Sequence, residues 1–361
     1  MNGDQKFSLF AAFVLTLSVV LTACGGGDGS GEGEGNGESG GASGEKVVNI
    51  LNWSEYIPDD VIKQFEEETG IKVNYSTVSS NEEMVAKLNV SGSGFDLAVP
   101  STYFVEALIN EGRLEKINKD NIPNLKNIGE EFLGWEFDPN DEYSLPFMWG
   151  SEIIAYNEDL VDIEIKSYRD LFDPSLENSL VVLDDPRTML GAMLDMLGYS
   201  PNSTNEAEIM EAGEELQKLL PNIKAFNSDD AKSLLTSNEV KAGVVYAAEA
   251  LLAQQENPKI KMVIPEDHLS LWQDNFVIPK GAPHKENAEK FINFIYEPEV
   301  SKEITMDYPY NNPNVEALKL LPDDIREALE ISPEDLERGS HATDVGEALQ
   351  YYDRAWSMVK N

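Results

Sequence analysis

Trp53, Glu55 and Tyr56 fall within four residues, directly after the apolar run Val47–Leu51 and just before Pro58, Asp59 and Asp60. An indole, a carboxylate and a phenol at the mouth of a strand are what a positively charged ligand needs. The acid neutralises charge and accepts N–H donors, and the ring faces cover both charge and apolar stem. Strand ends also tolerate such residues as ordinary boundary chemistry, and Glu55 equally fits an acid favouring the dipole of a following helix. A second polar–aromatic cluster, Ser101, Thr102 and Tyr103, follows the run Phe95–Pro100. A third acid, Asp274, stands inside the apolar stretch Leu271–Pro279 with Trp272 and Phe276 beside it, where a charge is costly unless paired.

Enzyme chemistry is not written in the chain. It contains no H-E-x-x-H, no phosphate-binding P-loop and no G-x-S-x-G. The histidines His268, His284 and His341 are far apart in sequence, in loop-like surroundings. Asp184 and Asp185 form a carboxylate pair, but neighbours in a strand point to opposite faces, so this pair does not converge as a glycosidase acid and base. No cofactor or metal is expected.

The elements that carry the clusters alternate. Val47–Leu51 reads as a buried strand, and Val61, Ile62, Phe65 and Thr69 keep helical spacing behind Pro58 as first helical residue, closed by Gly70. A strand at Ile71–Val78, a helix at about Asn81–Asn89, a strand at Phe95–Ser101 and a helix closed by Gly112 follow. This βαβα order predicts a parallel sheet covered by helices, whose ligands sit at the carboxyl ends of strands. Farther on, Ser144–Gly150 and Ile153–Asn157 read as extended. A strand ends in Asp184 and Asp185, another near Tyr246, and Leu271–Pro279 is again extended. A last helix from about Asp344 to Lys360 carries Val345, Ala348, Leu349, Tyr352 and Trp356 on one face. Asp96 is expected to position loops, and Phe147 and Trp149 to pack.

The bulk properties set the class. With 361 residues the chain exceeds what one core usually serves. A formal net charge of −39 disfavours nucleic-acid binding, which needs a basic stripe. Phe7–Thr22 is an apolar run of signal-peptide length, ending in Leu21-Thr22-Ala23-Cys24 around the single cysteine. That stretch resembles a bacterial lipobox, which implies a signal peptide over residues 1–23 and lipidation at Cys24. Residues 24–45 read as a Gly-rich tether holding a folded body clear of a bilayer.

Several segments together resemble the spermidine/putrescine-binding family of ABC-transporter substrate-binding proteins. They are NWSEYIPDDVIKQFEEETGIKVNYST, SNEEMVAKL, FDLAVPSTYFV, FDPNDEYSLPFMWG, LGYSPNST, NIKAFNSD, WQDNFVIP and YPYNNPN, in family order from about residue 47 to 315. The resemblance implies an α/β type II periplasmic-binding-protein fold, two lobes closing on a ligand in a cleft. It implies one lobe of residues 46–150 plus 272–318 and another of 151–271 plus 319–361. The crossovers would lie near Trp149–Ile153 and Trp272–Ile278.

The binding positions it implies are Trp53, Ser54, Glu55 and Tyr56 at one amine end, with Ser101 and Tyr103. Asp185 is implied for a terminal amine, Tyr246 as a stacking face, Trp272 and Asp274 for the central part, and Tyr308 as a further wall. Thr188 stands where some members have a second acid, and Ala342 where some have a glutamine. The function implied is capture of a polyamine outside the cytoplasmic membrane and delivery to ABC permease subunits, with the membrane reached through the lipid anchor. A receptor for another amine, an amino-acid derivative or a sugar on the same scaffold stays open. So do an extracellular hydrolase using Glu55 and Asp185, and an adhesin or sensory receptor.

Overall fold

The computed structural model describes residues 45–90 and 93–361. The signal peptide, Cys24 and the tether up to residue 44 lie outside the described residues. The first segments alternate as their periodicity requires: β1 (Val47–Trp53), α1 (Asp59–Thr69), β2 (Lys72–Val78), α2 (Asn81–Asn89), β3 (Leu97–Ala98), α3 (Thr102–Asn110) and β4 (Leu114–Glu115). Pro58 is the N-cap of α1 and not its first residue, and Gly70 ends that helix at φ +67°, a conformation glycine adopts freely. The third strand is shorter than its apolar run: Leu97 and Ala98 form the ladder, Pro100 interrupts it, and Ser101 keeps only an isolated bridge to Asp274.

The long strand β5 (Ser144–Asn157) joins what the sequence presents as two extended pieces. Beyond it come β6 (Leu180–Val182), α4 (Pro186–Met196), α5 (Glu206–Leu219), β7 (Ile223–Phe226), α6 (Ala231–Thr236), β8 (Ala242–Tyr246), α7 (Ala247–Glu256) and β9 (Ile260–Val263). The chain then runs through β10 (Ser270–Pro279), α8 (Lys285–Ile295), α9 (Pro298–Asp307), α10 (Val315–Leu318), α11 (Asp323–Ala328), α12 (Pro333–Arg338), β11 (Ser340–His341) and α13 (Leu349–Lys360). The final helix begins later than its apolar stripe, because Gly346 sits at φ +54° and a short 3-10 turn leads into it. Val345 and Ala348 are buried nonetheless.

The strands follow the order β2-β1-β3-β10-β5-β8-β6-β7. β1 pairs in parallel with β2 and β3, and β6 in parallel with β7 and β8. The two parallel groups are joined by antiparallel β10 and β5. Each group has its own core. Val48, Ile50, Phe65, Phe147, Phe276 and Phe291 belong to one. Leu180, Val182, Leu190, Leu216, Val244 and Tyr352 belong to the other. These are the two α/β lobes of the type II fold. Phe276 and Ile278 are fully buried in the first core, with Trp272 packed against it. Asp96 positions loops as its sequence context suggests: its buried carboxylate accepts from the backbone N–H groups of Asn49 and His284, at 2.7 and 2.6 Å.

Gly243 illustrates how tightly β8 sits on β6, since a Cβ there would lie 2.4 Å from Val181 Cγ1 and 2.5 Å from its carbonyl oxygen. The backbone oxygen has little room to yield. Gly243→Ala is therefore expected to destabilise the protein by about 1–3 kcal/mol, read as a lower urea midpoint with the slope of the transition unchanged.

Candidate functional site

The two β strands that join the lobes build the floor of the site. In the antiparallel ladder Ser270 lies opposite Glu152, Trp272 opposite Gly150 and Asp274 opposite Met148. Directly opposed residues share a face, and so do alternate residues on one strand. Ser270, Trp272, Asp274 and Glu152 therefore project together into one cavity, of about 130 Å3. Gly150 makes room for the indole: a Cβ there would meet the Trp272 ring at 2.8 Å.

Ten of the eleven expected site residues line this cavity: Trp53, Ser54, Glu55 and Tyr56 after β1, Ser101 and Tyr103 at the start of α3, then Asp185, Tyr246, Trp272 and Asp274. Tyr308 does not. It closes α9, and the Tyr310 N–H bonds back to the Tyr308 carbonyl at 2.7 Å around Pro309. That tight turn sends the two phenols in different directions, and Tyr310 is the one that faces the cavity.

Asp274 is the most elaborately held acid. It is buried, and its oxygens accept from the Tyr56 hydroxyl and the Ser101 hydroxyl, each at 2.6 Å. Burial still pushes its carboxyl up to about 6, although both hydroxyls favour the charged form. Asn81 steadies this group, donating to Ser101 Oγ at 3.0 Å and to Tyr103 Oη at 3.2 Å. The Trp53 indole N–H donates to the Val99 carbonyl at 2.8 Å, which fixes the ring at the strand end. Glu55 is an exposed acid at φ +51°, a left-handed conformation that costs a non-glycine residue on the order of 1 kcal/mol.

Asp185 is a helix cap and not a strand residue. Its side chain accepts from the Thr188 N–H at 2.9 Å, and burial raises its carboxyl even though Thr188 and Arg187 oppose this. Asp184 instead pairs with Lys360 at 2.8 Å. The Arg187 guanidinium is engaged elsewhere. It lies over the rings of Tyr103 and Tyr352, 5.2 and 4.7 Å from their centroids, and donates to the Thr343 carbonyl and Asn202 Oδ1. Tyr246, Trp272, Tyr310 and Tyr56 form an edge-to-face and tilted series, with centroid separations of 6.0, 5.5 and 5.0 Å.

The sequence did not single out Glu152, Glu249 or Glu82, all of which line the cavity. Glu152 is 4% exposed and burial drives its carboxyl up to about 8. Burial likewise takes Glu249 to about 7. In the sequence Glu152 follows Ser151 in a run that otherwise reads as strand; an acid inside an apolar strand was the available signal, the same one that marked Asp274. His268 and His341 also reach the cavity wall, but His268 is held by Asp195 at 2.9 Å. Among the described residues no cluster of metal-ligating side chains is found.

Among the described residues, eight carboxylates and one guanidinium line the cavity. Residues 60–330 match the family model for a bacterial extracellular solute-binding protein. The chain is 40% identical over 323 residues to a spermidine/putrescine-binding periplasmic protein of Salmonella typhimurium, covering 88% of this chain and 93% of that one. Two crystal structures are similar as well. The spermidine/putrescine ABC transporter substrate-binding protein PotD of Streptococcus pneumoniae has 34% identity and a TM-score of 0.73, over 87% of this chain and 98% of that one. The TpPotD lipoprotein of Treponema pallidum has 32% identity and a TM-score of 0.78, over 87% and 99%.

The raised carboxyls make a pH prediction for the protein without ligand. Glu249 and Glu152 bind protons more tightly folded than unfolded, so the unfolded chain holds fewer protons as pH passes through 7 and 8. Stability then falls as pH rises from 6.5 to 8.5. Below that window His341, which burial takes down to about 4, acts in the opposite sense. Urea unfolding at pH 6.5, 7.5 and 8.5 checks this, and a stability that climbs across the window contradicts it.

Proposed function

The chain belongs to the bacterial extracellular solute-binding proteins, and on that footing we propose that it captures a polyamine between its lobes and delivers it to an ABC permease for import. It works outside the cytoplasm and is a binding component, not an enzyme. The observation that carries the reading is the excess of acids over cations in a cavity walled by aromatic rings. A neutral sugar would leave Asp274, Glu152 and Glu249 desolvated and uncompensated, which costs free energy. An ammonium group offers each of them a charge-assisted hydrogen bond, and methylenes between ammonium groups lie against ring faces.

In this reading Asp274, with Tyr56 and Ser101 holding its oxygens, grips one cationic nitrogen, and Glu55 and Asp185 serve others. Trp53, Tyr56, Tyr103, Tyr246, Trp272 and Tyr310 cover the chain between them. Ser54 lies at the rim. β5 and β10 run from one lobe into the other, and a few of their residues around Gly150 and Ser270–Asp274 would absorb the closing rotation. Ligand contacts from both lobes then favour the closed state.

We also propose that Cys24 carries a lipid and that residues 25–45 tether the folded body to the membrane. The similar protein of Treponema pallidum is described as a lipoprotein, and the lipobox-like Leu21–Cys24 precedes the glycines here.

Calorimetric titration with spermidine, putrescine and a neutral oligosaccharide tests the ligand class. The amines are expected to bind, and at a hundred times the dissociation constant the folded state gains about 2.7 kcal/mol. Asp274→Asn should weaken amine binding roughly tenfold to a hundredfold. Heat from the sugar alone would overturn the proposal. For the anchor, Cys24→Ser should move the protein from the membrane fraction to the soluble fraction of its host; unchanged membrane association would count against lipidation.

A further inference from the structure

Glu152 sits where the ladders of the two lobes meet: its Cα partner is Ser270 on β10 on one side and Tyr246 on β8 on the other. Its side chain faces the cavity and is 4% exposed. One carboxyl oxygen, Oε1, accepts from the Thr188 hydroxyl at 3.2 Å. The other, Oε2, is buried without a hydrogen-bond partner among the described residues. A buried carboxyl oxygen left unmatched costs free energy and in native proteins is found where something else satisfies it. Thr188 ties this acid to Asp185, since its backbone N–H donates to Asp185 and its hydroxyl to Glu152. Two acids therefore flank one threonine at the second-lobe side of the cavity.

The row along β10 supplies the rest. Asp274 and the position opposite Glu152 are four residues apart, roughly 13 Å at about 3.3 Å per residue, with the Trp272 indole between them. A molecule that touches both acids carries cationic groups at separated points joined by an apolar stretch lying on that ring.

We propose that Glu152 is a ligand-contacting residue: Oε2, with Asp185 beside it, takes an ammonium group of the amine, and the carboxyl gives up its proton to the solvent as that group arrives. This rests on the polyamine reading and adds to it an acid on the strand that joins the lobes, at the end of the cavity where position 188 is a threonine. The surroundings fit a proton that leaves on binding. Burial and the nearby Asp185 hold the carboxyl up to about 8 in the protein alone, with Ser270 and Thr188 opposing. The other titratable groups around it are Tyr246 and Tyr168, and Arg187, His268 and His341 line the same cavity. None of them supplies a cation to Oε2. Burial favours the protonated form of this carboxyl, so an ammonium that stabilises the anion expels a proton.

The test is calorimetry at pH 7 with spermidine, repeated in buffers of different ionisation enthalpy so that released protons are counted. Glu152→Gln keeps the shape and mimics the neutral acid, so the variant is expected to fold, and its melting temperature checks that. It should bind spermidine about tenfold to a hundredfold more weakly and release about one proton fewer than the wild type. Glu152→Asp should keep the proton release. Wild-type affinity and an unchanged proton count in Glu152→Gln overturn the assignment while leaving the polyamine reading intact. Weaker binding with an unchanged proton count marks a purely structural role and overturns it too. A wild-type protein that binds neither spermidine nor putrescine removes the polyamine reading, and the Glu152 assignment with it.

Discussion

Carboxylates gathered in one small cavity repel each other and lose hydration, and this protein answers them with a single guanidinium that is itself committed elsewhere. Asp274, Glu249 and Glu152 all hold their protons more tightly than a solvated acid does, with desolvation as the leading cause each time. Gathering acids in this way is costly to the fold. Much of the surrounding structure limits that cost: the Tyr56 and Ser101 hydroxyls on Asp274, the helix start that Asp185 caps, and the Thr188 hydroxyl on Glu152.

The antiparallel pair β5 and β10 does the positioning. Among the described residues it is where one parallel group gives way to the other along the main sheet path. Its side chains alternate in a fixed period of two, so the pair lays an acid, an indole and a second acid along one face. Gly150 is required by that arrangement, since any side chain there would displace the Trp272 ring. The cavity-lining residues of β5 and β10 therefore stand on the same strands that link the two parallel groups.

Much of the fold was legible because it rests on local rules. Apolar runs and helical spacing marked β1, α1, α2 and β10 close to their observed limits, and Gly70 marked the end of α1. The failures have physical causes. Pro100 cut the third strand short, and Gly346 delayed the last helix. Asp185 was read as the end of a strand although it caps a helix, because both roles put an acid directly after an apolar run. Tyr308 and Tyr310 are two residues apart and chemically alike, so only the turn around Pro309 distinguishes the one that faces the cavity.

By itself, the sequence determined that acids and aromatic rings recur at the carboxyl ends of strands, that no common catalytic motif accompanies them, and that the chain carries a large negative charge. These follow from residue type and short-range spacing. Which acids meet was decided by tertiary structure, because strands far apart in the chain had to pair in one register before Glu152, Asp185 and Asp274 came to line one cavity. Burial was decided there too: Glu55 and Glu152 are the same residue to a sequence reader, but one is exposed on a loop and the other is enclosed where the two ladders meet, and only enclosure makes the charged form of a carboxyl costly.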